Sequence, residues 1–349
     1  MTGRVTWQNI TLKLHNPFRV SYGQSVTRRA HWLRLEGDQG WGEGTIPPYY
    51  GINNKDMTAV WESAALSLEP FPDDPSGITA WVGDKGPAPA RAALDLALHD
   101  RIGKLLDKPL YELLGLPKPN PMVTSFTVSI DTPQAMAEAA AAVPEFPVIK
   151  IKLGSDDDVA CLAAVRRARP DAKLRIDANA AWTSDEAIER LQHMLPFDLE
   201  MVEQPVARDD FAGMAAVQAA CDVPVVADES VQTIEDVEKL AAGGVQGINL
   251  KLMKIGGLSP TLELLRRGQS LGLRIMLGCM METSIGVTAM AHLAGAADWL
   301  DLDAPLLVAN DPFEGVIIDR QARLQLPQRP GIGVIKREIE EHIYGKGHN

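Results

Sequence analysis

The chain has 349 residues, of which 46% are hydrophobic and 23% charged, and a formal net charge of −12. That is enough apolar material for one large domain or two, and an acidic chain without basic clusters beyond pairs such as Arg28-Arg29 and Arg166-Arg167 excludes nucleic acid and anionic membrane as partners. No apolar run approaches the roughly 18 residues that span a bilayer, and the N-terminus alternates like a strand instead of forming a signal-peptide core, so the expectation is a cytoplasmic protein that handles small molecules.

Residues 1 to 45 read as strands, because "ITLKLHNPF", "AHWLRLEG" and "GWGEG" alternate with period two between Gly, Pro and Asn breaks. From Met57 to Leu116 the pattern turns helical, with apolar residues at three-and-four spacing in "ARAALDLALHDRIGKLLDKPLYELLGL" and an exit at "LGLPKPNP" that marks a domain boundary near residue 118. Eight strand-like runs follow: "VTSFTVSI", "VIKIKLG", "LRIDANA", "LEMVEQP", "VPVVADES", "GINLKLMK", "LRIMLGCMM" and "WLDLDAP". Helical segments separate them. This alternation predicts a parallel α/β sheet closed into a barrel, with an open doubly wound sheet as the alternative. Cys161, Cys221 and Cys279 are odd in number and scattered, which predicts reduced thiols.

Each run carries charge near its C-terminal end: Lys150 and Lys152, Asp177, Glu203, Asp228, Lys251, Glu282, then Asp301 and Asp303. From Lys152 the steps to Asp177, Glu203, Asp228 and Lys251 are 25, 26, 25 and 23 residues, the length of one βα unit. Successive strands would therefore deliver one ionisable group each to the C-terminal mouth, where barrel enzymes keep their chemistry. Asp177, Glu203 and Asp228 form a set of hard oxygen ligands suited to Mg²⁺, and the lack of histidine beside them argues against zinc. Lys150 and Lys152, at i and i+2, share one strand face. Lys251 comes from roughly the opposite side of the barrel. Nearby positive charge and burial are expected to lower the pKa of such lysines and make them bases near neutral pH. Two bases facing one carbon are what a 1,1-proton transfer requires.

The runs "KIKLG", "DANAAW", "EQP", "ADES" and "KLMKIGG" resemble the enolase superfamily in its muconate-lactonizing-type subgroup, and "DLDAPLL" resembles the last barrel strand of its dipeptide epimerases. "ARAALDLALHD" and "NPFRVSYG" are similar to the helix before the barrel and to the mobile capping loop. The resemblance implies a (β/α)7β modified TIM barrel over residues 119–317, and an N-terminal α+β capping domain over 1–118, rejoined by a C-terminal tail over 318–349. It implies Mg²⁺ on Asp177, Glu203 and Asp228, acid/base lysines at Lys152 and Lys251, and Lys150 as an electrostatic helper. The implied activity is a dipeptide epimerase that inverts the C-terminal residue of an L,L-dipeptide through an enediolate, with the free ammonium held by Asp301 and Asp303. Asn179 and Glu229 are implied as supporting groups around the ligands.

Relatives acting on alanyl-glutamate resemble one another in a capping-loop arginine near the place where this chain reads "SYGQSV", with Gln24 and Ser25; Arg19, Arg28 and Arg29 are the nearest cations. Tyr22, Tyr49, Tyr50 and Ile52 point to an apolar or mixed second side chain. Glu282 is expected to pair with a neighbouring lysine, and Cys279 to pack. A muconate-type cycloisomerase or o-succinylbenzoate synthase on the same scaffold is the competing reading, as is a noncatalytic metal-binding scaffold. Homo-oligomeric assembly is the general expectation for an enzyme of this kind.

Overall fold

The computed structural model describes residues 4–337. The acids of "EIEEH" and the end of the expected tail lie outside the described residues, as does the Tyr49 side chain. Strands β1 (Val5–Val20) and β2 (Gly23–Leu35) form a long antiparallel hairpin, and β3 (Trp41–Thr45) pairs with β2. Four helices follow: α1 (Asn54–Leu66), α2 (Ile78–Val82), α3 (Ala88–Leu105) and α4 (Leu110–Leu113).

The "GWGEG" alternation explains how this sheet sits. A Cβ on Gly42 would lie 1.9 Å from Ala93 O, and one on Gly40 would lie 2.0 Å from Ala97 O, so only glycine lets β3 lie against α3. The intervening Trp41, Glu43 and Thr45 face the other way. Trp41 packs on Phe313, with ring centroids 5.1 Å apart, and Glu43 accepts from Thr283 N at 2.9 Å. Helix α3 is buried on nearly every side, from Ala90 to Gly103, as a helix sandwiched between a sheet and a second layer must be.

The second layer is the barrel. Strands β4 (Phe126–Val128), β5 (Val148–Lys152), β6 (Lys173–Asp177), β7 (Leu199–Glu203), β8 (Val225–Ala227), β9 (Gly247–Leu250), β10 (Arg274–Gly278) and β11 (Trp299–Asp301) pair in sequence order, all parallel. Closure comes just ahead of β4, where Ser125 N donates to Leu300 O at 3.2 Å and Leu302 N donates to Thr124 Oγ1 at 2.8 Å. The crossovers are α5 (Pro133–Ala141), α6 (Asp158–Ala168), α7 (Ser184–Met194), α8 (Phe211–Ala219), α9 (Ile234–Ala242), α10 (Leu252–Ile255) with α11 (Leu258–Ser270), and α12 (Ser284–Ala291), while α13 (Ala304–Leu307) follows β11. Thr183 and Thr233 open α7 and α9 with capping boxes, each fixing a helix start after the loop that leaves a strand. The expected seven crossovers between eight strands are present among the described residues.

Alternation along the strands stratifies the lumen. Met201, Val226, Met276 and Trp299 form a buried apolar layer. Two residues further along the same strands stand Glu203, Asp228, Gly278 and Asp301, so the period of two stacks an ionic layer directly on an apolar one. After the barrel the chain runs back toward the first sheet. Strand β12 (Phe313–Glu314) pairs with β15 (Ile335–Lys336), β13 (Ile317–Ile318) pairs with β14 (Leu324–Gln325), Ile332 N donates to Asp100 Oδ1 on α3 at 2.8 Å, and Lys336 Nζ stands 4.8 Å from the Trp32 ring.

Candidate active site

The ionic layer gathers the residues that the spacing singled out. Lys150 Nζ lies 2.7 Å from Asp301 Oδ2, 2.7 Å from Glu203 Oε2 and 3.0 Å from Asp177 Oδ2. Lys152 Nζ donates to the same Asp177 oxygen at 2.6 Å, and Lys251 Nζ donates to Asp228 Oδ2 at 2.7 Å. All of these side chains are buried. Asp228 and Lys251 fall one residue beyond their strands, where the pleat still aims them inward.

A fourth lysine escaped the sequence reading. Lys254, on α10, donates to Asp228 Oδ1 at 2.7 Å, to Asn249 O at 2.7 Å and to Asp228 O. Its i+3 spacing from Lys251 looks like one helix face, and only the short turn after β9 folds it back under Asp228. Gln204 also went unnoticed. Its Oε1 accepts from Asp228 N at 2.8 Å and Ser230 N at 3.2 Å, joining the ends of β7 and β8. Asn179, Ala180 and Gln204 take left-handed φ angles of 45°, 60° and 35°, so backbone strain collects at the ends of β6 and β7. Asn179 Nδ2 donates to Glu229 Oε1 at 3.2 Å and Asn179 N to Asp177 Oδ1 at 2.9 Å, which places both expected supporting residues beside Asp177 and Asp228.

Above this layer lies a cavity of about 200 Å³. Lys152 and Lys251 both reach it, as do Asp228, Asp301 and Asp303, while Lys150 stays behind the wall. The tip of the β1–β2 hairpin supplies Tyr22, Gln24, Ser25 and Arg28, and the loop after β3 supplies Pro47, Pro48 and Tyr50. Of the candidate loop cations only Arg28 lines this cavity, donating to Ser25 Oγ at 3.1 Å. Ile52 instead packs into the core of the first sheet and its helices.

The sequence profile of enolase C-terminal domain-like proteins matches residues 134–339. The chain belongs to the enolase superfamily. It is 36% identical to an L-Ala-D/L-amino acid epimerase from Maribacter sp., with 95% of this chain and 98% of that one aligned. The structure superposes on a dipeptide epimerase from Enterococcus faecalis complexed with Mg and L-Leu-L-Tyr, with a TM-score of 0.86 and 31% identity over 95% and 99% of the two chains. A substrate-liganded L-Ala-D/L-Glu epimerase from Bacillus subtilis gives a TM-score of 0.88 and 31% identity over 97% and 100%.

Electrostatics in this enolase-superfamily mouth is dominated by acid. Asp177, Glu203, Asp228, Glu229, Asp301 and Asp303 face only Lys150, Lys152, Lys251 and Lys254 among their close neighbours. Burial and the charges of Asp228 and Asp177 push Glu229 up to about 8, and burial and Asp301 push Asp303 up to about 6. Burial, then Asp177, also raises Glu203. Burial would lower the lysines, yet Asp177, Asp301 and Glu203 hold Lys150 well above its ordinary range, and Asp228 does the same for Lys251. The expected lowering is therefore reversed for these two by the surrounding carboxylates. Glu282 differs from expectation as well. It accepts from Met280 N at 2.7 Å, no lysine pairs with it among the described residues, and burial with the Glu43 charge pushes it up to about 8. Cys279 donates to Asp301 O at 3.4 Å, and burial with Asp303 keeps it a thiol, as packing predicts.

Among the described residues no three acidic groups already converge as a cage, because lysine ammonium groups stand between them. The donor set nevertheless fits a hard divalent cation. Asp177, Glu203 and Asp228 stand at the ends of three successive strands, the acids outnumber the lysines, and Glu229 Oε2 is buried without a hydrogen-bond donor. Such an uncompensated buried acceptor is costly alone and is relieved by a cation.

Proposed function

We propose that the protein is a dipeptide epimerase that inverts the α-carbon of the C-terminal residue by 1,1-proton transfer. The observation that carries this reading is the convergence of Lys152 and Lys251 on one cavity that Asp301 and Asp303 also line. One lysine removes the α-proton and the other returns a proton to the opposite face. Lys150, fixed behind the wall by three carboxylates, supplies positive charge toward the enediolate. Asp177, Glu203 and Asp228 would hold Mg²⁺, whose charge would stabilise an anionic substrate carboxylate. With those carboxylates engaged by a cation, their hold on the Lys251 ammonium would weaken, which would lower its pKa and make the neutral amine accessible as a base. The acidic end at Asp301 and Asp303 attracts a free α-ammonium and repels substrates that carry only carboxylates, which disfavours cycloisomerase or o-succinylbenzoate synthase chemistry.

Residues 119–317 form the catalytic barrel, and residues 1–118 with the returning tail form its cap. The cap closes the mouth with Tyr22, Pro47, Pro48 and Tyr50, so a largely apolar second side chain suits the cavity, with Arg28 as the one cation from the hairpin tip. Proton NMR of pooled L,L-dipeptides in D₂O with Mg²⁺ tests the reading. Deuterium at the C-terminal α-carbon, with the L,D epimer growing in, supports it; a ring-forming or dehydrating substrate turned over with no dipeptide exchange overturns it.

A further inference from the structure

The three carboxylates assigned to the cation share one pattern. One oxygen of each, Asp177 Oδ2, Glu203 Oε2 and Asp228 Oδ2, meets Lys150, Lys152 or Lys251. The other oxygen is taken by a donor from outside that trio: Asn179 N donates to Asp177 Oδ1 at 2.9 Å, Asn249 Nδ2 to Glu203 Oε1 at 2.8 Å, and Lys254 Nζ to Asp228 Oδ1 at 2.7 Å. Asn249 on β9 and Lys254 on α10 are both buried, and Lys254 Nζ also donates to Asn249 O at 2.7 Å, which ties the two together. Asn249 is paired in register with Met276 of the apolar layer, a level where a polar side chain needs a partner to justify its burial. Its Oδ1 has no hydrogen-bond partner among the described residues, so the bond to Glu203 is what the side chain gains there. A flipped amide would set oxygen against oxygen.

We infer that Asn249 and Lys254 are positioning residues that set the site's choice of cation: by occupying Glu203 Oε1 and Asp228 Oδ1, they leave one oxygen per carboxylate, which suits a small six-coordinate ion such as Mg²⁺ and disfavours Ca²⁺. The inference rests on the reading of these acids as cation ligands and deepens it. Ca²⁺ collects about six to eight oxygens and gains from carboxylates that grip with both of theirs. Mg²⁺ demands near-ideal octahedral geometry at shorter range and keeps several waters, so one oxygen from each acid serves it. A carboxylate whose second oxygen already accepts from a buried donor can grip with both only by stranding that donor, and a stranded buried N–H or ammonium is costly. The hydrogen bonds that orient the ligands therefore also limit how many oxygens they offer. Asn179 N does the same for Asp177 from the backbone, where no side-chain change removes it.

The test measures calorimetric binding of Mg²⁺ and of Ca²⁺, each as its chloride, to metal-free wild type, Asn249→Ala and Lys254→Met. Wild type binds Mg²⁺ more tightly than Ca²⁺. Each variant frees one carboxylate oxygen, and the ratio of the Ca²⁺ to the Mg²⁺ dissociation constant falls on the order of tenfold. The ratio is the readout because both ions are dications: the charge lost at Lys254, or a loosened fold, moves both affinities together and leaves the ratio where it was. Retained Mg²⁺ binding shows that a variant is folded. The two variants release oxygens on different ligands, so either one reads the effect, and the wild-type preference stands as a test without them. A wild type that takes Ca²⁺ as well as Mg²⁺ or better, or folded variants that keep the wild-type ratio, overturns the inference and leaves the cation reading intact. A wild type that binds neither ion overturns that reading and the inference with it.

Discussion

Buried acids occur in two regions of this molecule, and their partners separate them. Between the first sheet with its helices and the barrel, each acid is held across the junction by backbone N–H groups, even where a neighbour on its own helix adds a side-chain partner, as Lys104 does for Asp100 and His99 for Asp95. Asp100 accepts from Trp41 N at 2.9 Å and Ile332 N at 2.8 Å, Asp95 accepts from Leu258 N at 2.5 Å and Ser259 Oγ at 2.5 Å, and Glu43 accepts from Thr283 N at 2.9 Å and Gly286 N at 3.2 Å. These carboxylates tie chain ends and helix starts across the junction of the two layers. At the mouth, Asp177, Glu203, Asp228 and Asp301 meet lysine side chains, while Glu229 and Asp303 have no lysine partner among the described residues and accept from Asn179 Nδ2 and Thr127 N. Backbone donors cannot leave, whereas side-chain ammonium groups can exchange a carboxylate for a cation or a substrate. Equal burial thus marks glue in one region and machinery in the other.

The contrast breaks first on activity. Lys152→Met or Lys251→Met should cut epimerisation by at least about 10³-fold, and each variant should still exchange the α-proton of the one epimer whose face keeps its lysine; NMR in D₂O started from either epimer reads this. Loss of exchange from both epimers in both variants would remove the two-lysine assignment. Metal comes next. Mg²⁺ at a hundred times its Kd should stabilise the protein by about 2.7 kcal/mol, visible as a raised thermal midpoint that a chelator reverses and Asp177→Asn abolishes. On the other side of the contrast, Asp95→Ala strands the Leu258 and Ser259 N–H groups and should cost about 1–3 kcal/mol of stability in denaturant titration, with kcat little changed. An equal loss of kcat would dissolve the distinction between the regions.

The smallest effect is in pH. Asp303 has a raised value of about 6 in the folded protein, so it is a carboxylate above that pH and a neutral acid below it. Ammonium binding favours the carboxylate, so dipeptide affinity should be constant above about pH 6 and fall as pH drops, approaching about tenfold per unit. A des-amino analogue of the dipeptide, hydrogen replacing the ammonium, should show no such slope, and Asp303→Asn should flatten the dipeptide curve; a curve unchanged in that variant would assign the ionisation elsewhere.

Much of this site was legible in the sequence because a barrel converts spacing into position. Steps of 25, 26, 25 and 23 residues placed Asp177, Glu203, Asp228 and Lys251 on one rim, and the i, i+2 rule put Lys150 beside Lys152. What stayed hidden depends on contacts between distant segments. Glu43, in a strand that reads as glycine-rich packing, meets Thr283 and Gly286 from 240 residues away or more. Lys254 reads as a helix residue and folds back onto Asp228. Asp301 and Asp303 look like a matched pair, since nothing local reveals that Lys150 and Ser125 have claimed one of them. The sign of the lysine shifts was equally out of reach, because burial and ion pairing oppose each other and only the acids packed around each ammonium decide between them.

The central claim is proton transfer at one carbon between two lysines, and proton NMR of a dipeptide in D₂O with Mg²⁺ tests it most directly. Wild type should wash deuterium into the C-terminal α-position while the L,L and L,D forms equilibrate, and removal of Mg²⁺ should stop both. Exchange at the N-terminal residue, or none across a broad dipeptide library with Mg²⁺ present, would contradict it.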